Sequence, residues 1–276
     1  MYLTPFTSLK WAFQLHYYLG FQTHRRKEAF RDREDFLKSA LEEICQRHQY
    51  HLLESKQLPT QLRSLISLRP DQSVAKTCQT IKTNSSRDWG LQFGTKPPLW
   101  ARGYLAQSAG AVREEIVSEY LNQQPVHHGY ANRILSPVYL FKADRQIELT
   151  AAHSYFDLSH QLVFSTNKRH GVFDSHTGRA LVEYWLQVAA KRNFAIDQVS
   201  VVPDHIHSIV RIVPSMSIEE CALSLMNNGQ HFIGNHYPQV LIEAGLDQLW
   251  QGSAYAGTCG DYSTGLLQKW LRSADS

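Results

Sequence analysis

The sequence predicts two tandem α+β domains, and three observations carry that expectation. The chain repeats itself once. Within each copy, strand-like and helix-like segments alternate. At 276 residues it is long enough for two cores of ordinary size. The segment LGFQTHRRKEAF (19–30) matches LVFSTNKRHGVF (162–173) at an offset of 143. Pro59 pairs with Pro203 and Pro70 with Pro214 at 144, and LWARGYLAQSAG (99–110) pairs with LWQGSAYAGTCG (249–260) at 150, as does Tyr120 with Trp270. A period this long is a duplicated domain rather than a solenoid. The expected division is 1–124 and 156–276, with 125–155 as the connection because it contains Pro125, Gly129 and Pro137 and has no counterpart in the repeat.

Each copy reads strand, helix, strand, helix, strand, helix. FQLHYYLGFQT is aromatic-rich and loosely alternating, which suits a strand. REDFLKSALEEICQRHQ and TGRALVEYWLQVAAKRN have helical spacing, with Leu37, Leu41 and Ile44 on one stripe of the first. QVSVVPDHIHSIVRIV reads as a strand with a Pro-Asp turn inside or at its start. SVAKTCQTIK and SIEECALSLM are second helices, each opened by a serine suited to cap the free amides of the first turn. VREEIVSEYLNQQ and TGLLQKWLRS are the terminal helices, and VYLFK and RQIELTA in the connection are candidate short strands. Antiparallel strands with helices grouped around them define the α+β class.

Composition narrows the function. Hydrophobic residues make up 43% and charged residues 19%, the balance of a globular chain. No apolar run reaches the roughly 18–20 residues that a bilayer span needs, and the N-terminus lacks a signal-peptide pattern. Cys45, Cys78, Cys221 and Cys259 form no CxxC pair, which excludes a zinc ribbon and suits the reduced thiols of a cytoplasmic protein. Residues 1–124 carry 17 Lys/Arg against 12 Asp/Glu, whereas the remainder carries 11 against 13. A basic first half suits a polyanionic partner.

Two motifs carry chemistry. In a strand alternate residues share a face, so His205 and His207 stand together while Ile206 turns to the core. Paired imidazoles are half of a divalent-metal site. Asp204 is placed either to orient a histidine or to turn the chain, and the turn is the simpler expectation. On the terminal helix of the first copy, Tyr120 and Gln124 stand four apart and share a face. A tyrosine becomes a covalent nucleophile when a base or cation helps it lose its proton. The copies are complementary: Gln61 and Arg63 replace the histidines in the first, and Trp270 and Ala274 replace the tyrosine and glutamine in the second.

HIH on a strand, then the serine-capped helix, then LW, then YLNQQPVHH together resemble the single-tyrosine HUH transposases, including the small insertion-sequence enzymes and the REP-associated tyrosine transposases. Both halves carry the resemblance. It implies a ferredoxin-like/HUH fold in each copy, the metal pair on His205 and His207, the nucleophile on Tyr120 and a third ligand on Gln124. It also implies Mg²⁺ or Mn²⁺ as cofactor, a 5′-phosphotyrosine intermediate, and single-stranded hairpin DNA as partner. The chain is then a monomer acting as an internal pseudo-dimer with one composite site, with further dimerisation open. Phosphate contacts are expected from Lys82, Arg87, Arg25, Arg26, Lys168 and Arg169. Trp89, Trp100 and Trp250 suit the core or base stacking, with the core expected. The competing function classes are a non-catalytic hairpin-binding regulator and a hydrolase of small phosphoesters. The latter leaves Tyr120, Gln124 and the duplication without purpose.

Overall fold

The computed structural model describes residues 3–31, 34–94, 98–110 and 137–260. The terminal helices expected around Tyr120 and Trp270, and with them Gln124, Ala274, His127 and His128, lie outside the described residues.

Each copy builds one mixed sheet with two long helices. In the first, β2 (His16–Gln22) leads through a 3₁₀ turn to α1 (Glu34–His48), then to β3 (His51–Leu58), β4 (Gln61–Ser67), α2 (Val74–Phe93) and β5 (Tyr104–Ser108). The second repeats the order with β8 (Ser159–Thr166), α3 (Ser175–Arg192), β9 (Phe194–Val202), β10 (His205–Ile212), α4 (Ile218–His236), a short α5 (Pro238–Glu243) and β11 (Trp250–Cys259). The strands are ordered β3-β4-β2-β5 in one sheet and β11-β8-β10-β9 in the other, the same arrangement read from opposite ends. The stretch expected as one strand, QVSVVPDHIHSIVRIV, is a hairpin instead. Proline fixes its own φ and cannot donate to a ladder, so Pro203 and Asp204 turn the chain between β9 and β10.

The expected caps are present. Ser73 accepts from the Lys76 amide, and Ser217 accepts from the Glu220 amide while Glu220 returns a bond to the Ser217 amide. Leu37, Leu41 and Ile44 are buried as their spacing requires, and all four cysteines are buried and free. Trp89, Trp100 and Trp250 belong to the core, with the Trp100 indole donating to Ser85 Oγ and the Trp250 indole to the Met226 carbonyl. Of the two strands expected in the connection, one forms: β6 (Tyr139–Lys142) pairs with β9, while residues 145–151 form none. Among the described residues no helix is long and apolar enough to cross a membrane.

The two sheets trade edge strands. β1 (Lys10–Gln14) directly precedes β2, yet it pairs in parallel with β11 of the second sheet. β7 (Ser154–Asp157) directly precedes β8, yet it pairs in parallel with β5 of the first sheet. Each trade covers an edge that would otherwise expose unpaired amides and carbonyls.

Contacts between the units come in pairs related by the repeat. The Ala75 amide donates to the Pro214 carbonyl at 2.8 Å, and the Glu219 amide to the Pro70 carbonyl at 2.9 Å. Ser108 Oγ accepts from the Ser159 amide and donates to the Cys259 carbonyl; Thr258 Oγ1 accepts from the His16 amide and donates to the Ala109 carbonyl. Tyr17 and His160 are themselves repeat equivalents and bond to each other, Oη to Nε2 at 2.8 Å, both fully inside. A residue that meets its own equivalent lies where a two-fold axis would pass.

Gly110 shows how tightly these surfaces approach. Its amide donates to the Gly260 carbonyl at 3.0 Å, and a Cβ on it would collide with the Thr258 backbone carbonyl. Backbone cannot yield as a flexible side chain can, so Gly110→Ala is expected to cost roughly 1–3 kcal/mol. Urea unfolding checks this; an unchanged midpoint would mean that the contact is dispensable.

Candidate active site

The histidines are positioned by the hairpin. Along β10, His205 is register-paired with Ser165 and Val202, and His207 with Val163 and Ser200. Ile206 between them is fully buried, so both imidazoles stand on the sheet face away from the helices, as alternation requires. The ring centroids are 4.9 Å apart and inclined at 69°.

The Asp204 side chain does more than turn the chain. Its Oδ1 lies 2.5 Å from His205 Nδ1, and its Oδ2 lies 3.0 Å from Arg169 Nε. Burial works against the carboxylate charge, but the His205 hydrogen bond and the Arg169 guanidinium outweigh it and hold the group below its ordinary range. An ionised carboxylate only accepts, so His205 carries its proton on Nδ1 and keeps Nε2 as the nitrogen for a ligand. Arg169 also donates to Ser165 Oγ at 2.9 Å, which steadies the corner. The turn itself is anchored by Thr166, whose amide and hydroxyl both donate to the Asp204 carbonyl. The sequence held the signal for this chain of contacts, an acid directly before the histidine pair, but the turn reading absorbed it.

The donor set fits a divalent cation as far as it is described. A metal–nitrogen bond of roughly 2 Å lets two imidazoles share one ion when their centroids are within about 6 Å, and these lie closer than that. Among the described residues no third His, Cys, Asp or Glu completes a cluster. The expected third donor, Gln124, lies outside them.

The corresponding corner of the first copy is chemically different. Gln61 and Arg63 occupy β4 positions equivalent to His205 and His207, with Arg63 Nε donating to Gln61 Oε1 at 3.0 Å. Thr60 stands where Asp204 stands in the second copy.

The expected phosphate-binding residues fall into two groups. Arg25-Arg26 and Lys168-Arg169 occupy equivalent 3₁₀ turns after β2 and β8, all four exposed, with φ of 53°, 49°, 55° and 58°. Left-handed backbone in a non-glycine residue costs roughly 1–2 kcal/mol each. Both copies therefore spend stability on the same cationic turn. Lys82 and Arg87 lie on α2. The Lys82 ammonium donates to the carbonyls of Ala101, Arg102 and Gly103, and burial lowers its pKa. Arg87 pairs with Asp88. Thr83–Ser86 between them lie inside α2, where the helix ladder takes their amides and leaves none for a phosphate.

The described arrangement can hold a cation on one sheet face beside an exposed cationic turn, which is suited to a phosphodiester. The family profile described as "Transposase IS200 like" matches residues 11–124 and again 154–274. The ISDra2 transposase TnpA of Deinococcus radiodurans is 22% identical over 128 residues, which are 46% of this chain and 91% of that protein. Among solved structures, a transposase from Deinococcus radiodurans R1 aligns over 49% of this chain and 97% of its own, with 16% identity and a TM-score of 0.36. A REP-associated tyrosine transposase bound to a REP hairpin aligns over 48% of this chain and 68% of its own, with 13% identity and a TM-score of 0.28. Each relative corresponds to just under half of this chain. Since the profile is met twice and covers well over half of the residues, the chain belongs to the IS200-like transposase family and carries the family sequence in tandem.

Proposed function

We propose that this chain is a metal-dependent transposase that cuts and rejoins single-stranded DNA at hairpins of a mobile or REP-like element. Residues 1–124 and 156–276 are read as two ferredoxin-like HUH domains joined by 125–155 and forming a pseudo-dimer. The shared strand order and the paired contacts between units support that reading.

Tyr120 is the nucleophile. Its hydroxyl gives up its proton as the oxygen attacks phosphorus in line; the Tyr120 O–P bond forms, the P–O3′ bond breaks, and a proton returns to the departing 3′ oxygen. The DNA keeps a free 3′-OH, and its 5′ phosphate stays on the protein. A 3′-OH can later reverse the step at a new junction, so cutting becomes joining. His205 and His207, with Gln124 as third donor, would hold Mg²⁺ or Mn²⁺, which when bound polarises the phosphodiester and offsets charge on its oxygens. Asp204 keeps the His205 proton on Nδ1, and the cationic turns at 25–26 and 168–169 meet flanking phosphates.

The observation that carries this reading is complementarity. The paired imidazoles with a carboxylate partner occur only in the second copy, and Tyr120 only in the first. Random decay would rarely leave one complete set divided in this way. The test is a labelled single-stranded hairpin incubated with Mn²⁺ and protein, followed by SDS electrophoresis. A resistant adduct is expected from the wild type and from Tyr262→Phe, which changes a tyrosine of the second copy that has no part in the proposed site, and none from Tyr120→Phe. An adduct on Tyr120→Phe would refute the nucleophile. Binding without adduct at every divalent metal would make the protein a hairpin-binding regulator.

A further inference from the structure

We infer that the first copy's counterpart of the histidine site is a second strand-binding site, which takes a DNA phosphodiester on Arg63 and Lys56 and holds it without cutting. It rests on the proposed function only in taking DNA as the ligand. The repeat places Gln61 and Arg63 on the same sheet face and strand positions as His205 and His207. A DNA strand that follows the approximate two-fold relation of the sheets therefore meets one corner as it meets the other.

What it meets in the first copy is cationic. Arg63 is register-paired directly with Lys56 on β3. Like charges opposite each other in a ladder repel and cost stability. Among the described residues neither forms an ion pair, although Glu54 shares their face. Gln61 binds Arg63 Nε and so fixes the plane of the guanidinium, with its terminal nitrogens as the fork for a phosphate. The acid of the second copy has been replaced as well, since Thr60 stands at the Asp204 position. Its carbonyl accepts from the Thr23 amide at 2.8 Å and so anchors the turn that presents Arg25. An unneutralised cross-strand pair is stabilised by a bound anion.

Cutting is excluded there by the residues. No imidazole pair is present to hold a cation, and Trp270, the repeat equivalent of Tyr120, has no nucleophilic oxygen. The corner grips one strand while the complete site works on another.

The test uses the full chain and a fluorescein-labelled single-stranded hairpin, with anisotropy titrations across salt concentrations. Arg63→Gln combined with Lys56→Gln is expected to weaken binding about tenfold at moderate salt and to reduce the slope of log affinity against log salt by about two. Arg63→Lys should keep the slope. The melting temperature of the double variant should stay level or rise, because a repulsion has been removed. Unchanged affinity and slope would overturn the proposal, and so would a fall in melting temperature that accounts for the lost binding. His205→Ala with His207→Ala separates the two readings: it should lose the adduct yet keep the wild-type salt slope. If no variant or wild type ever forms an adduct but Arg63 and Lys56 still set the slope, catalysis fails and this site stands.

Discussion

Replacing His205 and His207 together by alanine is expected to end adduct formation on single-stranded hairpin DNA while leaving the fold intact. The fold survives because Ile206, at zero exposure, packs into the core from this segment, whereas the imidazoles, that of His207 largely covered, stand on the opposite sheet face. The loss should be at least about a hundredfold in cleavage rate, the scale for removing groups that stabilise charge where it develops. Asp204→Asn is the graded companion. An amide presents either an NH₂ or a carbonyl to His205 Nδ1 and holds no charge, so the ring loses its fixed tautomer and Arg169 loses its partner. Mn²⁺ affinity, read by electron paramagnetic resonance titration, should fall about 10–100-fold. Unchanged Mn²⁺ binding would show that the carboxylate only shapes the turn. Unchanged cleavage in the double alanine variant would remove the histidines from the chemistry.

The second large effect concerns acid. His160 is fully buried, and desolvation lowers its pKa from the ordinary 6.5 to about 3, although the Leu158 backbone pulls the other way. The native imidazole is therefore neutral, and its Nε2 shares one hydrogen bond with the Tyr17 hydroxyl. In the unfolded chain it takes up a proton below pH 6.5. Between pH 6.5 and about 3 the unfolded state thus binds more protons, so stability falls as pH falls. The slope is about 1.4 kcal/mol per pH unit, so acidification by two units removes roughly 3 kcal/mol from a total that is typically 5–15. Asp157 opposes this in its own range, because burial raises its pKa, partly countered by Arg211. Comparing urea unfolding of the wild type and His160→Gln at pH 7 and pH 4.5 isolates the imidazole, since a glutamine amide can both donate to and accept from Tyr17. The variant should be less acid-sensitive by about that amount. Equal acid sensitivity would mean that His160 is charged or reachable by water in the native state.

The sequence disclosed the duplication, the two-unit α+β plan, the serine caps and the shared face of His205 and His207, because each depends on spacing along one segment. It disclosed less where segments meet. Pro203-Asp204 was legible as a turn, but whether it sat within one strand or between two depends on β8 and β9 flanking β10. The Asp204–His205–Arg169 chain was hidden because Arg169 arrives from a turn 35 residues earlier. The Tyr17–His160 bond had a signal that spacing alone could not interpret. Both sit at equivalent places in the repeat, and equivalent residues touch only where a symmetry axis passes. Lys82 shows the opposite case. A lysine on a basic half suggests phosphate, yet its ammonium also serves the carbonyls of 101–103, which no pattern in the sequence encodes.

The reciprocal edge strands bear on ancestry as much as on stability. Because β1 finishes the sheet built by the later half and β7 finishes the sheet built by the earlier one, neither half is a self-sufficient product if the coding region is split. Residues of one proposed site can therefore be divided between the halves, but neither half can be given up. The chain is free to divide labour and bound to stay whole.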